Sequence, residues 1–202
     1  PLAGPEEAGP EAAWDAFRLG TMRVALVALV PLAVGLVLLR SGHRTWIAYG
    51  LLLAVAAASL VFGQLVAGPR GILALVGIVV ISDVAGYFAG RAFGGPKFWP
   101  RVSPKKTWSG TVAGWIGAAI FGAVVAPGLI GASWWAGALG AVVLAFAGQM
   151  GDIGESWLKR RAGVKDSSAL IPGHGGVLDR LDALVAVAAL AGIAAWLSGM
   201  LA

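Results

Sequence analysis

The chain reads as six long apolar stretches, at about 22–39, 45–67, 71–91, 110–131, 133–155 and 179–201, separated by unequal polar connections. Each is close to the roughly 20 residues an α-helix needs to cross a bilayer core. No segment alternates apolar and polar positions in the ten-residue units of a membrane barrel, so the pattern predicts helices. Gly110, Ala113, Gly114, Gly117 and Ala118 crowd the fourth stretch with small side chains, which lets helices approach closely. A Gly-Pro turn near Arg70 joins the second and third stretches, and an uncharged connection near Ser133 joins the fourth and fifth. Two connections are long and polar, 92–109 and 156–178. The predicted fold class is all-α: a polytopic membrane helix bundle of about six transmembrane helices. Residues 1–20 read as a polar N-terminal tail and 21–202 as a single membrane-embedded domain.

Composition narrows the class further. Of 202 residues, 58% are hydrophobic and only 12% are charged, against about 25% charged in an ordinary soluble domain. That excludes a disordered chain and leaves too few charges to coat a soluble core. There is no cysteine, so disulfides and thiolate metal sites are excluded and any metal must sit on oxygen or on the two histidines. Glu6, Glu7, Glu11 and Asp15 precede any apolar run, the reverse of a secretory signal. The start, opening on Pro1, reads as a tail or as the scar of a truncation.

Basic residues predict orientation. The connections after the first, third and fifth stretches hold Arg40, Arg44, Arg91, Lys97, Arg101, Lys105, Lys106, Lys159, Arg160, Arg161 and Lys165, whereas the other side holds Arg18, Arg23 and Arg70. The positive-inside bias puts the two long connections in the cytoplasm and both termini outside. Trp46, Trp99 and Trp108 then fall near the inner interface, and Trp134 and Trp135 near the outer one.

The acids point to chemistry. Beyond the tail they are Asp83, Asp152, Glu155, Asp166, Asp179 and Asp182, and most lie at or inside the ends of apolar stretches on the predicted cytoplasmic side. A carboxylate at that depth is costly unless it is paired, metal-bound or facing a polar cavity. Asp152 and Glu155 share a helix face at i, i+3, with Ser156 and Lys159 continuing it; Asp179 and Asp182 repeat the spacing, and Asp83, Tyr87 and Arg91 share another face. Three helices can therefore direct oxygens into one pocket. Such ligands suit a hard cation like Mg²⁺, which binds through one or two carboxylates plus substrate phosphates. Each acid also has the plainer role of neutralising a nearby Arg or Lys. Lys105, Lys106, Lys159 and Arg160 are the cations a polyphosphate needs beside such an ion. The Pro172-Gly173-His174-Gly175-Gly176 turn offers backbone N–H groups to an anion just before a helix. His174 suits a phosphate contact, a proton shuttle or a structural hydrogen bond, and His43 reads as a surface residue.

These residues resemble a known family. Ser156, Lys159, Arg160, Lys165, Asp166, Pro172, His174, Gly175, Gly176, Asp179, Arg180 and Asp182 fill the S-x-x-K-R-x4-K-D…P-x-H-G-G-x-x-D-R-x-D signature of phosphatidate cytidylyltransferases, or CDP-diacylglycerol synthases. Asp83, Tyr87, Gly90 and Arg91 with Ser103, Pro104, Lys106 and Thr107 are similar to the family's D-x-x-x-Y…G-R…S-P-x-K-T block. Gln149, Gly151, Asp152, Glu155 and Ser156 are similar to its Q-x-G-D-x-x-E-S block. Together these cover about residues 75–190. The resemblance implies an integral membrane enzyme that transfers CMP from CTP to phosphatidic acid with Mg²⁺, in the bacterial inner membrane with its active site facing the cytoplasm. It implies Asp152 and Asp179 at the metal with Glu155 and Asp182 in support, and a second cation is compatible. It implies Lys159, Arg160, Lys165 and Arg180 on substrate phosphates, His174 beside them, and Asp83, Ser103, Lys105, Lys106 and Thr107 lining the same polar cavity. A homodimer is the expected assembly, and no nucleic-acid partner is expected. Where many members carry Glu after K-T-W this chain has Ser109, which receives no role. Members are often longer at the N-terminus, with extra spans.

Three rivals remain at this point. A CTP-dependent polyprenol or phytol kinase and a CDP-archaeol-type synthase share architecture and nucleotide. An ion-coupled transporter would use intramembrane acids as an ion path, but it has no need of two long loops rich in Lys, Arg and Gly.

Overall fold

A computed structural model describes residues 42–168 and 176–201, together with Ala33. The tail, the first apolar stretch apart from Ala33, and Pro172 to Gly175 with His174 lie outside the described residues. Among the described residues, five helices are long and apolar enough to cross a membrane, matching the last five stretches read from the sequence.

One helical run, His43–Phe93, carries the first two of these spans. The backbone leaves helical geometry at Gly68 (φ 62°, ψ −161°), a conformation that only glycine adopts cheaply. Pro69 follows, with no N–H to miss an intrahelical bond at the start of the next arm. The two arms are α1 (His43–Gln64) and α2 (Ala67–Phe93). A short antiparallel hairpin comes next, β1 (Lys97–Trp99) and β2 (Ser103–Thr107), with Lys97 opposite Thr107 and Trp99 opposite Ser103. Then follow α3 (Trp108–Ile130), α4 (Trp134–Arg161) and α5 (Leu178–Leu201).

The hairpin departs from the all-helical expectation. Strands of three and five residues are too short to leave a period-two signature, and their pairing satisfies backbone groups beside the membrane. Phe98 packs edge-on against Trp108, 4.7 Å between ring centres, and ties the hairpin to α3. Thr107 caps α3, its Oγ1 accepting from Gly110 N at 3.2 Å.

The packing inverts that of a soluble protein. Alanines form much of the interior, with Ala118 and Ala188 fully buried, while Val124 is 75% and Leu73 67% exposed. This is the pattern of a bundle whose solvent is lipid, held by close backbone contact rather than by large buried side chains. Ile78, Ala118, Ala141 and Ala145 join α2, α3 and α4, and Ala56, Ala188 and Ala189 join α1 to α5. At Gly110 an added Cβ would lie 2.6 Å from Gly86 O, so α2 and α3 cross nearly backbone to backbone. Because successive spans alternate direction, the C-terminal ends of α2 and α4 and the N-terminal ends of α3 and α5 meet at one end of the bundle.

Candidate active site

That shared end carries an open cleft of about 580 Å³ between α2, the hairpin, α3 and α4. Each element contributes what its sequence allows. From α2 come Asp83, Tyr87 and Arg91, stacked one turn apart, with Arg91 Nη1 donating to Tyr87 Oη at 3.0 Å. The hairpin supplies Lys97, Lys105, Lys106 and Thr107, and α4 supplies Asp152. Lys106 Nζ pairs with Asp152 Oδ2 at 2.6 Å, bridging hairpin and helix, and lies within electrostatic reach of Asp83. Four cations thus face two carboxylates.

The cleft floor is a polar network centred on Gln149, which the sequence placed in a motif without a role. Gln149, buried in the middle of α4, accepts from Trp115 Nε1 at 3.0 Å and donates from Nε2 to Thr111 O at 3.4 Å and Ser82 Oγ at 3.5 Å. Its own carbonyl accepts from Lys106 at 3.5 Å. A glutamine in an apolar span is costly unless satisfied, and that cost was the available signal. Ser109, given no role from the sequence, donates to Gly94 O at 2.5 Å and ties the start of α3 to the end of α2.

A second cluster lies on the adjoining α4–α5 side. Asp179 accepts from Lys159 Nζ at 2.5 Å, from Ser167 N and Oγ at 2.9 Å, and from Gly176 N at 2.7 Å. Ser167 and Gly176 flank residues 169–175, so Asp179 gathers both ends of that connection. Glu155 is 3% exposed. Its two oxygens accept from no N–H or hydroxyl donor among the described residues; it faces the Asp182 carboxyl, and its ion-pair contact is Lys159 Nζ at 3.6 Å. Asp182, half-buried, is within electrostatic reach of Asp152 and Glu155 and so links the two clusters. Gly151 allows this: a Cβ there would meet Asp182 O at 2.8 Å, so α4 and α5 pack closely just where their acids lie.

The expected single pocket is therefore two adjoining sites. Asp83, Asp152, Lys105, Lys106 and Thr107 line the cleft; Asp179, Lys159, Glu155 and Asp182 form the neighbouring cluster. Ser103 stands at the far end of β2, opposite Trp99, and does not line the cleft. Arg160, Lys165 and Arg180 are exposed outside it. His174 lies outside the described residues.

Among the described residues no three His, Asp or Glu side chains converge as a ready-made metal cage. The donor set nevertheless fits a hard divalent ion. All donors are oxygens, and the buried Glu155 carboxylate, paired with Lys159 Nζ at 3.6 Å, also faces Asp182, so two acids share one ammonium there. A buried negative group of that kind is what a bound cation compensates.

Helices of spanning length with a cation-rich cleft at their common end define an integral membrane protein. The chain belongs to the cytidylyltransferase family, whose match runs over residues 9–197. It is similar to a phosphatidate cytidylyltransferase of Brucella suis biovar 1 (strain 1330), 47% identical over 150 residues, 73% of this chain and 56% of that protein. Enzymes of the same name are 39% identical over 118 residues in Helicobacter pylori (strain ATCC 700392 / 26695), covering 58% and 44%, and 40% identical over 119 residues in Mycobacterium bovis (strain ATCC BAA-935 / AF2122/97), covering 59% and 38%. The chain spans about half the length of the curated relatives it matches.

Proposed function

We propose that the chain transfers CMP from CTP to phosphatidic acid, giving CDP-diacylglycerol and pyrophosphate, at the cytoplasmic face of a bacterial inner membrane and as a homodimer. The observation that carries the reading is the cleft itself: Arg91, Lys97, Lys105 and Lys106 face Asp83 and Asp152 at the polar end of a lipid-facing bundle. A water-soluble polyanion and a lipid headgroup can meet only at such a boundary. The names of the relatives support the substrates.

The reaction is an in-line displacement. A phosphatidate oxygen forms a bond to the α-phosphorus of CTP as the bond to the β-phosphate oxygen breaks, and pyrophosphate leaves with that electron pair. The attacking oxygen is already anionic near neutral pH, so no strong base is needed. The barrier is repulsion between like charges together with alignment. Arg91, Lys97, Lys105 and Lys106 offset the first and orient the phosphates, and Thr107 and the Gly94–Gly95 turn let the ligand approach the backbone. Asp152, Asp179, Glu155 and Asp182 would hold Mg²⁺, which when bound offsets charge on the phosphate oxygens. In the same reading Lys159, Arg160, Lys165 and Arg180 would hold phosphates of CTP or phosphatidate, with His174 as a further phosphate contact.

The test is direct. The detergent-purified chain should release pyrophosphate from CTP only with both Mg²⁺ and phosphatidate present, and CDP-diacylglycerol should accumulate in equal amount. Formation of CDP and a lipid phosphate would make it a kinase instead, and pyrophosphate release indifferent to phosphatidate would overturn the reading.

A further inference from the structure

Trp115 lies on α3, outside every motif discussed above, and lines no part of the cleft. Its ring packs against the core of Ile78, Ala118, Ala141 and Ala145 and meets Phe146 edge-on, 6.0 Å between ring centres. The indole carries one polar contact, Nε1 donating to Gln149 Oε1 at 3.0 Å. An indole N–H can only donate, so this bond fixes which end of the amide faces it. The two Nε2 hydrogens are left for Thr111 O at 3.4 Å and Ser82 Oγ at 3.5 Å. With the amide turned over, its oxygen would face Thr111 O and its NH₂ would face the indole N–H. One orientation therefore satisfies every group, and it pins α2, α3 and α4 together. Gly114 makes the room: a Cβ there would lie 2.8 Å from Ser82 Oγ and 2.9 Å from Gln149 Nε2.

Gln149 also receives Lys106. Its backbone carbonyl accepts from Lys106 Nζ at 3.5 Å, and Asp152 Oδ2, on the same turn of α4, meets that ammonium at 2.6 Å. Lys106 immediately precedes Thr107, the cap of α3, so its backbone is fixed to the start of that helix. Trp115 lies about two turns further along. Thus α3 grips one turn of α4 at two points, by Lys106 from its start and by Trp115 from its flank. Where the ammonium stands over the cleft depends on how that turn sits against α3, and the indole bond sets it.

We propose that Trp115 is a positioning residue for Lys106: its N–H locks the Gln149 amide, and with it the α4 turn bearing Asp152, so that the Lys106 ammonium is held facing the cleft. That this ammonium acts on substrate phosphates rests on the proposed function; its placement does not.

Two measurements on the full chain in detergent test it. Trp115→3-benzothienylalanine keeps the shape of the indole and removes its N–H; Trp115→Phe removes the N–H with part of the ring. Pulsed acylation read by mass spectrometry follows Lys106 beside Lys97 and Lys105 of the same hairpin. Either variant should speed acylation of Lys106 about threefold, the effect of loosening a part-exposed ion pair, and leave Lys97 and Lys105 unchanged. Unchanged acylation of Lys106 overturns the assignment. So does a rise shared by all three lysines, which is what general loosening of the bundle gives. In the transfer assay the isosteric variant should lower kcat about tenfold with KM for CTP within about twofold of the parent. In a Lys106→Met chain it should cost less than about twofold more, and losses that multiply overturn the coupling. A parent that forms no CDP-diacylglycerol sinks the functional reading, and acylation then decides the role of Trp115 by itself. CDP-diacylglycerol formation in the parent with Lys106 acylation unmoved sinks the positioning role and leaves the functional reading standing.

Discussion

Lys106 shows how a single side chain divides between stability and chemistry. Its ammonium meets Asp152 at 2.6 Å, and the two side chains are 25% and 34% exposed. A pair that open to water contributes at most about 1 kcal/mol to folding. The same cation beside a reacting phosphate is worth several times more, because it acts where charge develops. Lys106→Met should therefore lower turnover about 100-fold while moving the melting temperature by only a few degrees. Asp152→Asn should cost activity on a similar scale, about 100-fold, in a membrane assay with CTP, phosphatidate and Mg²⁺; activity within about threefold of the parent would remove Asp152 from the site. Both residues were legible in the sequence, because charges at the end of an apolar run need a reason to be there. Gln149 was legible only as a motif position, with no role. A glutamine inside a run of alanines shows its partners only when three helices are assembled around it.

At the scale of the element, α4 is the informative case. The apolar stretch ends near residue 155, yet the helix continues to Arg161. Hydropathy marks where lipid ends, whereas helix termination depends on caps and backbone geometry. With 28 residues the helix is about 42 Å long, well beyond the roughly 30 Å hydrocarbon core. Its last turns carry Asp152, Glu155 and Lys159 out of the apolar layer on a rigid rod. Two glycines on this rod give opposite expectations. At Gly151 a Cβ would meet Ala186 Cβ at 2.6 Å and Asp182 O at 2.8 Å, whereas at Gly154 nothing lies within 4 Å. Gly151→Ala should destabilise the detergent-solubilised protein by about 1–3 kcal/mol and depress activity by prising α5 from α4. Gly154→Ala should be neutral or stabilising by up to about 1 kcal/mol. Thermal unfolding of the two variants side by side checks the pair.

For the whole molecule, the absence of cysteine makes topology directly testable. The excess of Lys and Arg on the connections that build the cleft predicts that this end faces the cytoplasm. Ser133→Cys, at the opposite end of the bundle, should react with a membrane-impermeant maleimide in intact cells. Lys165→Cys should react only after the membrane is opened. The reverse pattern would place the cleft on the wrong side for a cytoplasmic nucleotide.

The amino-acid order alone determined that the chain carries membrane-spanning helices, where the five described spans fall and which residues carry charge at their ends. These follow from transfer of each segment between water and lipid, a local property that adds up along the chain. The three-dimensional arrangement decided that the charges divide into a cleft and an adjoining acidic cluster. It also decided that a short hairpin delivers Lys106 to Asp152, and that close packing of α5 on α4 at Gly151 sets Asp182 beside the acids of α4. Those outcomes depend on which helices touch and at what register, and in a bundle of alanines and glycines that is governed by close backbone packing, which leaves almost no trace in hydropathy.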